Sequence, residues 1–169
     1  MQPRHEEPPA RPSVVRPATP GDAALLAELN RHVHDIHVAH RPDLFRENPS
    51  AEDLTAGFRE RIDDGSFRIF IAELPDVPAA GYAMAAVHRR AAGVLTAEDA
   101  FIVLEHLAVA PQATRRGVGT ALLDAVREAG REAGCRRFVT EVWDFNTEAL
   151  AFYEAAGFSP MRRLFDQLL

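Results

Sequence analysis

A short basic stretch with two glycines is the first feature of this sequence that points to chemistry. It spans Arg115–Thr120 and separates an apolar run, which stops at Pro111, from a segment whose apolar residues recur at helical spacing. The first turn of a helix leaves backbone N–H groups without partners, and the helix dipole adds partial positive charge there. Gly117 and Gly119 lack the β-carbons that would keep a bulky phosphate from the backbone. The stretch therefore favours a site for a diphosphate, although an ordinary turn with two solvated arginines fits the same pattern.

Four histidines crowd a second candidate region, just before Pro42. They are His32, His34, His37 and His40. Spacings of three place the last three along one side of a helix. No carboxylate-rich partner motif accompanies them, so we expect no metal and interpret the row as solvated or pocket-lining side chains.

Length, composition and charge limit the classes of function. A chain of 169 residues suffices for one domain with a proper core, and a hydrophobic content of 47% is ordinary for a globular protein. The net charge of -6 disfavours nonspecific nucleic-acid binding and favours a cationic substrate over an anionic one. The single cysteine, Cys135, excludes a disulfide framework. Neither a membrane-spanning apolar run nor a signal-peptide pattern is found, so we expect no membrane partner and a cytoplasmic location.

Composition divides the chain into a tail and one domain. Residues 1–12 hold four prolines and no apolar periodicity, which predicts a disordered tail, and residues 13–169 are expected to form the domain. A first strand is expected at Ser13–Arg16.

Two capping patterns predict helices. Thr19 and Asp22 have the positions of an N-cap and a capping box, and the helix that follows must end before Pro42. Ser50 begins a similar pattern, which predicts a second helix over about 51–64.

Apolar and β-branched runs predict the remaining elements. The expected strands are Phe67–Glu73, Ala80–Val87, Ala100–Val109, Arg137–Val142 and Met161–Leu168. The first two of these form a hairpin, and the almost wholly apolar third belongs at the centre of the sheet. A last helix is expected over Asn146–Ala156, with Gly157 as a left-handed C-cap.

Two motifs, in this order and spacing, resemble those of the GNAT superfamily of acyl-CoA N-acyltransferases. Val109–Leu123 is similar to the family's acetyl-CoA pyrophosphate loop, and Asn146–Phe158 is similar to its second cofactor motif. The likeness in element order runs from about residue 13 to the C-terminus. Thr114 departs from the family pattern, which usually has Gln or Arg at that place. A side-chain contact would therefore have to come from the neighbouring arginines.

The resemblance implies an α+β, three-layer fold with a mixed, mostly antiparallel sheet of six to seven strands and about four helices on both faces. It also implies acetyl-CoA as co-substrate, bound where the strand ending at Val109 separates from its neighbour. The pantetheine arm would pair with that strand, and one backbone N–H would polarise the thioester carbonyl. The implied cofactor contacts are Leu107, Ala108, Val109, Arg115, Arg116, Gly117, Val118, Gly119, Thr120 and Asn146. The last of these is also positioned to cap its helix.

The implied reaction is direct attack of a primary amine on acetyl-CoA in a ternary complex. Tyr153 would protonate the leaving thiolate; the alternative is a packing tyrosine whose hydroxyl merely finds a partner. Glu105 is the candidate base, directly or through water, because a carboxylate in an apolar strand is rarely there for packing. The alternatives are an ion pair with an arginine or a carboxylate that only orders a water. Regular alternation puts Glu105 on the face of Leu107 and Val109 and gives His106 to the other face as a core or interface histidine.

The acceptor site, by the same resemblance, is formed by the first two helices and their connection. The residues expected to line it are His34, His37, Arg41 and Phe45. The acceptor would be a small-molecule or peptide amine, and an exposed edge strand near the C-terminus would suit a homodimer. A catalytically silent acyl-CoA-binding regulatory module is the competing interpretation.

Overall fold

The computed structural model of the chain describes residues 14–169, so the tail predicted for residues 1–12 lies outside the described residues. The strands are β1 (Val14–Pro17), β2 (Phe67–Leu74), β3 (Val77–Arg90), β4 (Asp99–Val109) and β5 (Arg137–Thr140). The helices are α1 (Ala23–His40), α2 (Ala51–Asp63), α3 (Val118–Glu132) and α4 (Thr147–Ala155). Single 3-10 turns cover Pro20–Asp22 and Pro111–Ala113. The elements predicted before residue 157 are confirmed, with shifts of a few residues at their ends.

The strands form one mixed sheet in the order β1-β2-β3-β4-β5. Strands β1 to β4 pair antiparallel in succession, whereas β4 and β5 are parallel. A parallel pair needs a crossover between its strands, and α3 supplies it. The mixed, mostly antiparallel sheet is confirmed, but the expected six to seven strands are wrong, because the described residues form five.

The closing strand predicted at Met161–Leu168 is also wrong. Residues 158–169 have no regular secondary structure. A strand needs a neighbour for its amides, and no strand of the described chain pairs with this segment. Its apolar side chains stay exposed, with Leu164 at 94% and Phe165 at 84% of their full accessibility. The pattern of side chains predicted a strand, but it carried no information on whether a partner was present.

The starts of α1 and α2 follow the capping patterns of the sequence. The Asp22 carboxylate accepts hydrogen bonds from the Thr19 backbone N–H at 2.8 Å and from the Thr19 hydroxyl at 2.9 Å. Arg16 of β1 bonds the same carboxylate and holds the pKa of Asp22 well below its usual range. The Ser50 hydroxyl accepts from the Asp53 N–H at 3.3 Å. The first contacts cap the 3-10 turn that leads into α1, and the Ser50 contact caps α2 itself.

The helices cover both faces of the sheet. Tyr82 of β3 packs edge-on against Phe58 of α2 and accepts a hydrogen bond from Asn30 of α1. The neighbouring Gly81 lies against Val118 of α3. Because successive strand residues face opposite sides, α1 and α2 lie on one face and α3 on the other. No helix of the described chain is both long and apolar enough to cross a membrane.

Candidate active site

A β-bulge interrupts the middle of β4. In the pairing with β3, Ala85 lies opposite Leu104 and Met84 lies opposite His106. Glu105 therefore has no partner across the ladder and is the extra residue. A bulge of this kind bends the strand and changes the direction of the side chains around it.

The bulge reverses which residues of β4 face which helices. Ile102 and Val109 both lie against α3, although they are an odd number of residues apart. His106 instead lies against Phe58 of α2 on the other face. The expectation that Glu105 shares the face of Leu107 and Val109 is therefore wrong, because it assumed a regular strand. By the alternation before the bulge, Glu105 belongs to the face of α1 and α2.

Beyond the bulge, β4 has an unpaired edge. Its pairing with β5 stops at Leu104, well before the strand ends. The Ala110 N–H donates to β3 at 2.9 Å, so by the alternation of an antiparallel ladder the Ala108 backbone also faces β3. Leu107 and Val109 then direct their N–H and C=O groups to the open edge, where no described strand pairs with them.

The loop before α3 presents a row of unused amides. Arg115 has a φ of 62° and Gly117 a φ of 79°, and left-handed residues of this kind gather successive N–H groups into a concave nest. Among residues 14–169, none of the N–H groups from Arg115 to Thr120 donates to a protein acceptor. The last three also belong to the first turn of α3, where the helix dipole is positive. The loop therefore has the geometry of an anion cradle, and phosphate binding at this place stays a prediction.

The two glycines of this loop have different structural roles. A Cβ built on Gly117 would meet no heavy atom within 4 Å, so glycine is required by the left-handed φ and the space in front stays open. A Cβ built on Gly119 would lie 3.1 Å from Phe152 of α4. The expectation that both glycines make room for phosphate is corrected for Gly119, which lets α3 pack closely on α4.

The two arginines of the loop are also unequal. Arg116 donates two hydrogen bonds, of 2.9 and 2.7 Å, to Asp76 in the β2–β3 turn, and this pairing lowers the pKa of Asp76. Arg115 is exposed and pairs with no acid of the described chain. The Thr114 hydroxyl donates back to the Pro111 carbonyl at 2.9 Å. Arg115 is therefore the side chain with its charge free for an anion in the cradle.

Tyr153 lies where β4 and β5 separate. Its ring packs edge-on against Phe152 and Phe158, with centroids 5.3 and 5.4 Å away. Burial raises the pKa of the Tyr153 hydroxyl, and the side chain of Thr140, at the end of β5, opposes that shift. A phenol with a raised pKa stays protonated at neutral pH, which is the state a proton donor needs.

The helix that carries Tyr153 is fixed at both ends. The Asn146 side chain accepts a hydrogen bond from the Ala149 N–H at 3.1 Å, so Asn146 is the N-cap of α4. Gly157 has a φ of 90°, and the Phe158 N–H donates to the Tyr153 carbonyl at 3.0 Å. The predicted left-handed C-cap is confirmed.

A cleft of about 460 Å³ opens beside the bulge, between α1, the α1–α2 connection and α2. His106 is the sheet residue in its lining, and charged side chains of both signs line the rest, namely Arg46, Glu47, Asp53 and Arg61. The neighbouring Glu105 is exposed and forms no ion pair with a described residue, so the alternative of an arginine partner has no support. The cleft thus presents carboxylates and guanidinium groups to a polar molecule on the face of β4 that carries His106.

The four residues predicted to bind the acceptor lie together, but in an aromatic cluster rather than in this cleft. His37 stacks on Phe45 with ring centroids 4.9 Å apart. The ring of His34 is edge-on to Phe45, and its Nε2 lies 2.8 Å from a carbonyl of the α1–α2 connection. The guanidinium of Arg41 lies over Trp143 at 5.4 Å. None of the four lines the larger cleft, although His34 lines an adjoining pocket of about 100 Å³.

The histidines of this row already have partners, since their rings stack on aromatic side chains or lie within hydrogen-bond distance of backbone carbonyls. His40 stacks on Phe145 at 4.4 Å, and its Nδ1 lies 2.9 Å from the Ile36 carbonyl. Burial, together with the neighbouring histidines, lowers the pKa of His37. Over residues 14–169, no three His, Cys, Asp or Glu side chains are grouped so as to hold a metal ion.

Sequence reasoning missed several residues that the fold brings to this region. Asn30 lies four positions after Leu26, on the apolar face of α1, and is buried. A polar residue on an apolar helix face needs a hydrogen-bond partner in the core, and this could have indicated its importance from the sequence. Trp143 and Phe145 complete the aromatic cluster from the β5–α4 loop. No local pattern announces them, because their contacts with α1 exist only in three dimensions.

The observed junction fits acetyl-CoA. Its diphosphate matches the amide cradle and the free charge of Arg115. Its pantetheine arm carries amide groups, which match the backbone of Leu107 and Val109 at the open edge. Tyr153 lies at the same gap.

Two comparisons with known proteins agree on the family. The model of the Acetyltransferase (GNAT) family matches residues 32–158. An aminoglycoside N(6')-acetyltransferase type 1 from Stenotrophomonas maltophilia is 31% identical over 151 residues, which cover 89% of this chain and 88% of that protein.

Solved structures share the fold. A mutant of the BH1408 protein from Bacillus halodurans superposes with a TM-score of 0.85 at 21% identity, covering 92% of this chain and 99% of the other. Aminoglycoside N-acetyltransferase AAC(6')-Iy in complex with CoA superposes with a TM-score of 0.74 at 21% identity, covering 96% and 98%. The chain therefore belongs to the GNAT family and is an acetyl-CoA-dependent N-acetyltransferase.

Proposed function

We propose that the acceptor is an amino sugar of the aminoglycoside class, bound in the 460 Å³ cleft. The relative from Stenotrophomonas maltophilia, which is an aminoglycoside N(6')-acetyltransferase, supports this class. The observation that carries the proposal is the position of the cleft, whose lining includes His106 next to the bulge and the open edge of β4. The acceptor amine in this cleft would therefore meet the thioester end of the co-substrate.

The chemistry of the cleft also supports this acceptor. Glu47 and Asp53 supply carboxylates for ammonium groups, while Asn48 and Ser50 supply hydrogen-bonding groups for hydroxyls. The net charge of -6 adds a field that attracts polycations.

We propose the following roles around the co-substrate. Bound acetyl-CoA supplies the thioester carbonyl that the amine attacks and the thiol that leaves. The amides of Arg115–Thr120 and the Arg115 guanidinium hold the diphosphate. The Leu107 and Val109 backbone aligns the arm, and one of their N–H groups donates to the carbonyl oxygen, which gains negative charge as the amine adds.

Two side chains complete the proposed proton path. Glu105, exposed at the bulge on the face of the cleft, accepts the proton that the acceptor ammonium must lose, directly or through a water. Tyr153 donates its phenolic proton to the departing sulfur. The amine nitrogen thus forms one bond to the acetyl carbon as the carbon–sulfur bond breaks. The second proton that the nitrogen loses on becoming an amide restores the Tyr153 phenol through water.

The test is release of free CoA from acetyl-CoA over a panel of acceptors. The panel contains an aminoglycoside, spermidine, free amino acids, a peptide N-terminus and a lysine peptide. We expect kcat/KM to be highest for the aminoglycoside. A higher value for a peptide would reject the acceptor class while leaving the acetyltransferase activity intact. The silent-module interpretation is not favoured, and turnover of any acceptor excludes it.

We further infer a homodimer and a cytoplasmic location. Met161 and Arg162 contact Arg137 of β5 and Glu141 just after it, whereas Asp166 pairs with Arg41 at the end of α1. A second copy would cover the apolar side chains that stay exposed in 161–169. The side chain of Cys135 is a free thiol, which suits a reducing compartment.

A further inference from the structure

One half-buried polar group at the cleft has no role in the proton path above. His106 follows the bulge on β4, and its Nδ1 lies 3.0 Å from the Tyr82 hydroxyl and 3.4 Å from Asn30 Nδ2. Asn30 Nδ2 in turn donates to the Tyr82 hydroxyl at 2.7 Å. Tyr82 is fully buried, and Asn30 is only 7% exposed.

With the side-chain amide of Asn30 oriented so that its Nδ2 faces Tyr82, the hydrogen bonds set the tautomer of His106. Asn30 Nδ2 has only hydrogens to offer, so the hydroxyl oxygen of Tyr82 accepts from it. The Tyr82 hydrogen then has one described acceptor within reach, His106 Nδ1. If Nδ1 carried the hydrogen instead, both the Tyr82 hydrogen and the second hydrogen facing from Asn30 would be left without acceptors inside the core. Nδ1 is therefore an acceptor, and the ring hydrogen sits on Nε2.

The other ring nitrogen faces the cleft. His106 is part of the cleft lining. Its Nε2 has no hydrogen-bond partner among residues 14–169, and no side-chain nitrogen or oxygen of this part of the chain is both buried and unpartnered. Nε2 is therefore accessible, and the cleft is the space that His106 borders.

We propose that His106 presents its Nε2–H to the cleft as a fixed hydrogen-bond donor and selects acceptors that carry an oxygen close to the reacting amine. The inference rests on the proposed occupancy of the cleft by the acceptor. Asn30 and Tyr82 hold the ring in one tautomer, so the group cannot turn into an acceptor for an ammonium. A bound molecule without a matching oxygen leaves this N–H unpaired once water is excluded.

The charge state of His106 agrees with this role. Burial, with a smaller contribution from Arg61 of α2 and from His37 and His34 of α1, lowers the pKa of His106 to about 4. The ring is therefore neutral at pH 7. It offers a directional N–H without adding a positive charge that would repel a polycation.

The first experiment measures the tautomer directly. Long-range ¹H–¹⁵N spectra of the full protein at pH 7 should show neutral His106 with its hydrogen on Nε2. In Tyr82→Phe the donor to Nδ1 is lost, and the Nδ1–H form should become populated. An Nδ1–H tautomer in the wild type would overturn the proposal.

The second experiment measures selectivity with three sugars. They are methyl 6-amino-6-deoxyglucoside, its 4-deoxy analogue and its carbocyclic analogue, in which CH₂ replaces the ring oxygen. The wild type should lose about tenfold or more in kcat/KM on the analogue that lacks the bonded oxygen. His106→Asn keeps an acceptor where Nδ1 was but has no donor at the Nε2 position, so it should react with all three at similar rates. His106→Gln places an amide NH₂ near Nε2 and should restore part of the discrimination.

The outcomes separate this proposal from the proposed acceptor class. Equal discrimination by the wild type and by His106→Asn contradicts the proposal. If the wild type acetylates none of the three sugars, the acceptor class fails. The NMR measurement of the tautomer then tests the role of His106 independently. A hydrogen on Nε2 supports a donor that faces the cleft, and a hydrogen on Nδ1 contradicts it.

Discussion

The Tyr153 hydroxyl is held where β4 and β5 separate, and burial raises its pKa. Tyr153→Phe removes only the hydroxyl and keeps the ring packing on Phe152 and Phe158. We expect kcat to fall by about ten- to a thousand-fold, the range typical of a lost general acid. Steady-state kinetics and CoA binding by calorimetry provide the measurement. An unchanged kcat would mean that the tyrosine only packs.

Glu105 is expected to act at the other end of the proton path. Glu105→Gln keeps the size of the side chain but cannot accept a proton at neutral pH. We expect a lower kcat/KM and a flattened acidic limb of its pH profile. A profile identical to that of the wild type would assign proton removal to bulk water.

His106 also predicts how stability depends on pH. Its pKa is about 4 in the folded protein, against about 6.5 for an unperturbed histidine. Between these values the unfolded chain binds a proton that the folded chain does not, so the free energy of unfolding falls as the pH is lowered from 6.5 to 4. The full loss is on the order of 3 kcal/mol. Urea denaturation at pH 7 and pH 4.5 should show a smaller loss in His106→Asn than in the wild type. Equal losses would reject the buried neutral state.

At the scale of elements, the cradle before α3 can be tested with a matched pair of substitutions. Gly117 and Gly134 flank the two ends of α3, have φ values of 79° and 74°, and would each place a Cβ in open space. Gly117→Glu puts a carboxylate at the anion cradle, whereas Gly134→Glu puts it at the far end of the helix. Both substitutions should cost about 1 kcal/mol of stability through the left-handed backbone.

Only the substitution at the cradle should affect the co-substrate. Gly117→Glu is expected to weaken CoA binding by about a hundred-fold or more, through bulk and charge repulsion at the diphosphate. Gly134→Glu should bind CoA like the wild type. Calorimetry on both variants decides the matter, and equal affinities would mean that the phosphates lie elsewhere.

At the scale of the whole molecule, the inferred homodimer depends on the apolar C-terminal segment. Leu164 and Phe165 are 94% and 84% exposed. Replacing both with Glu should convert a dimer into a monomer in sedimentation velocity at micromolar concentration. The control replaces Val94 and Leu95, which are equally exposed in the β3–β4 loop, and should remain dimeric. A monomeric wild type would refute the inference.

The sequence by itself determined the features that depend on neighbours along the chain. The cap at Thr19, the left-handed turn at Gly157 and the amide cradle at Arg115–Thr120 all follow from local backbone chemistry, so their residues could be named in advance.

Tertiary structure decided what depends on distant neighbours. The bulge at Glu105 depends on the register of β4 with β3, which the sequence of β4 does not reveal. Because of the bulge, Glu105 does not share a face with Leu107 and Val109, as a regular strand would require. The missing last strand lacked a partner that no side-chain pattern can supply. His106 and Asn30 are 76 residues apart in the sequence but are in contact and line the same cleft. This contact results from packing and cannot be read from sequence spacing. The local sequence determines which backbone groups lack hydrogen-bond partners within their own element. The packing of distant elements determines which residues lie next to those groups.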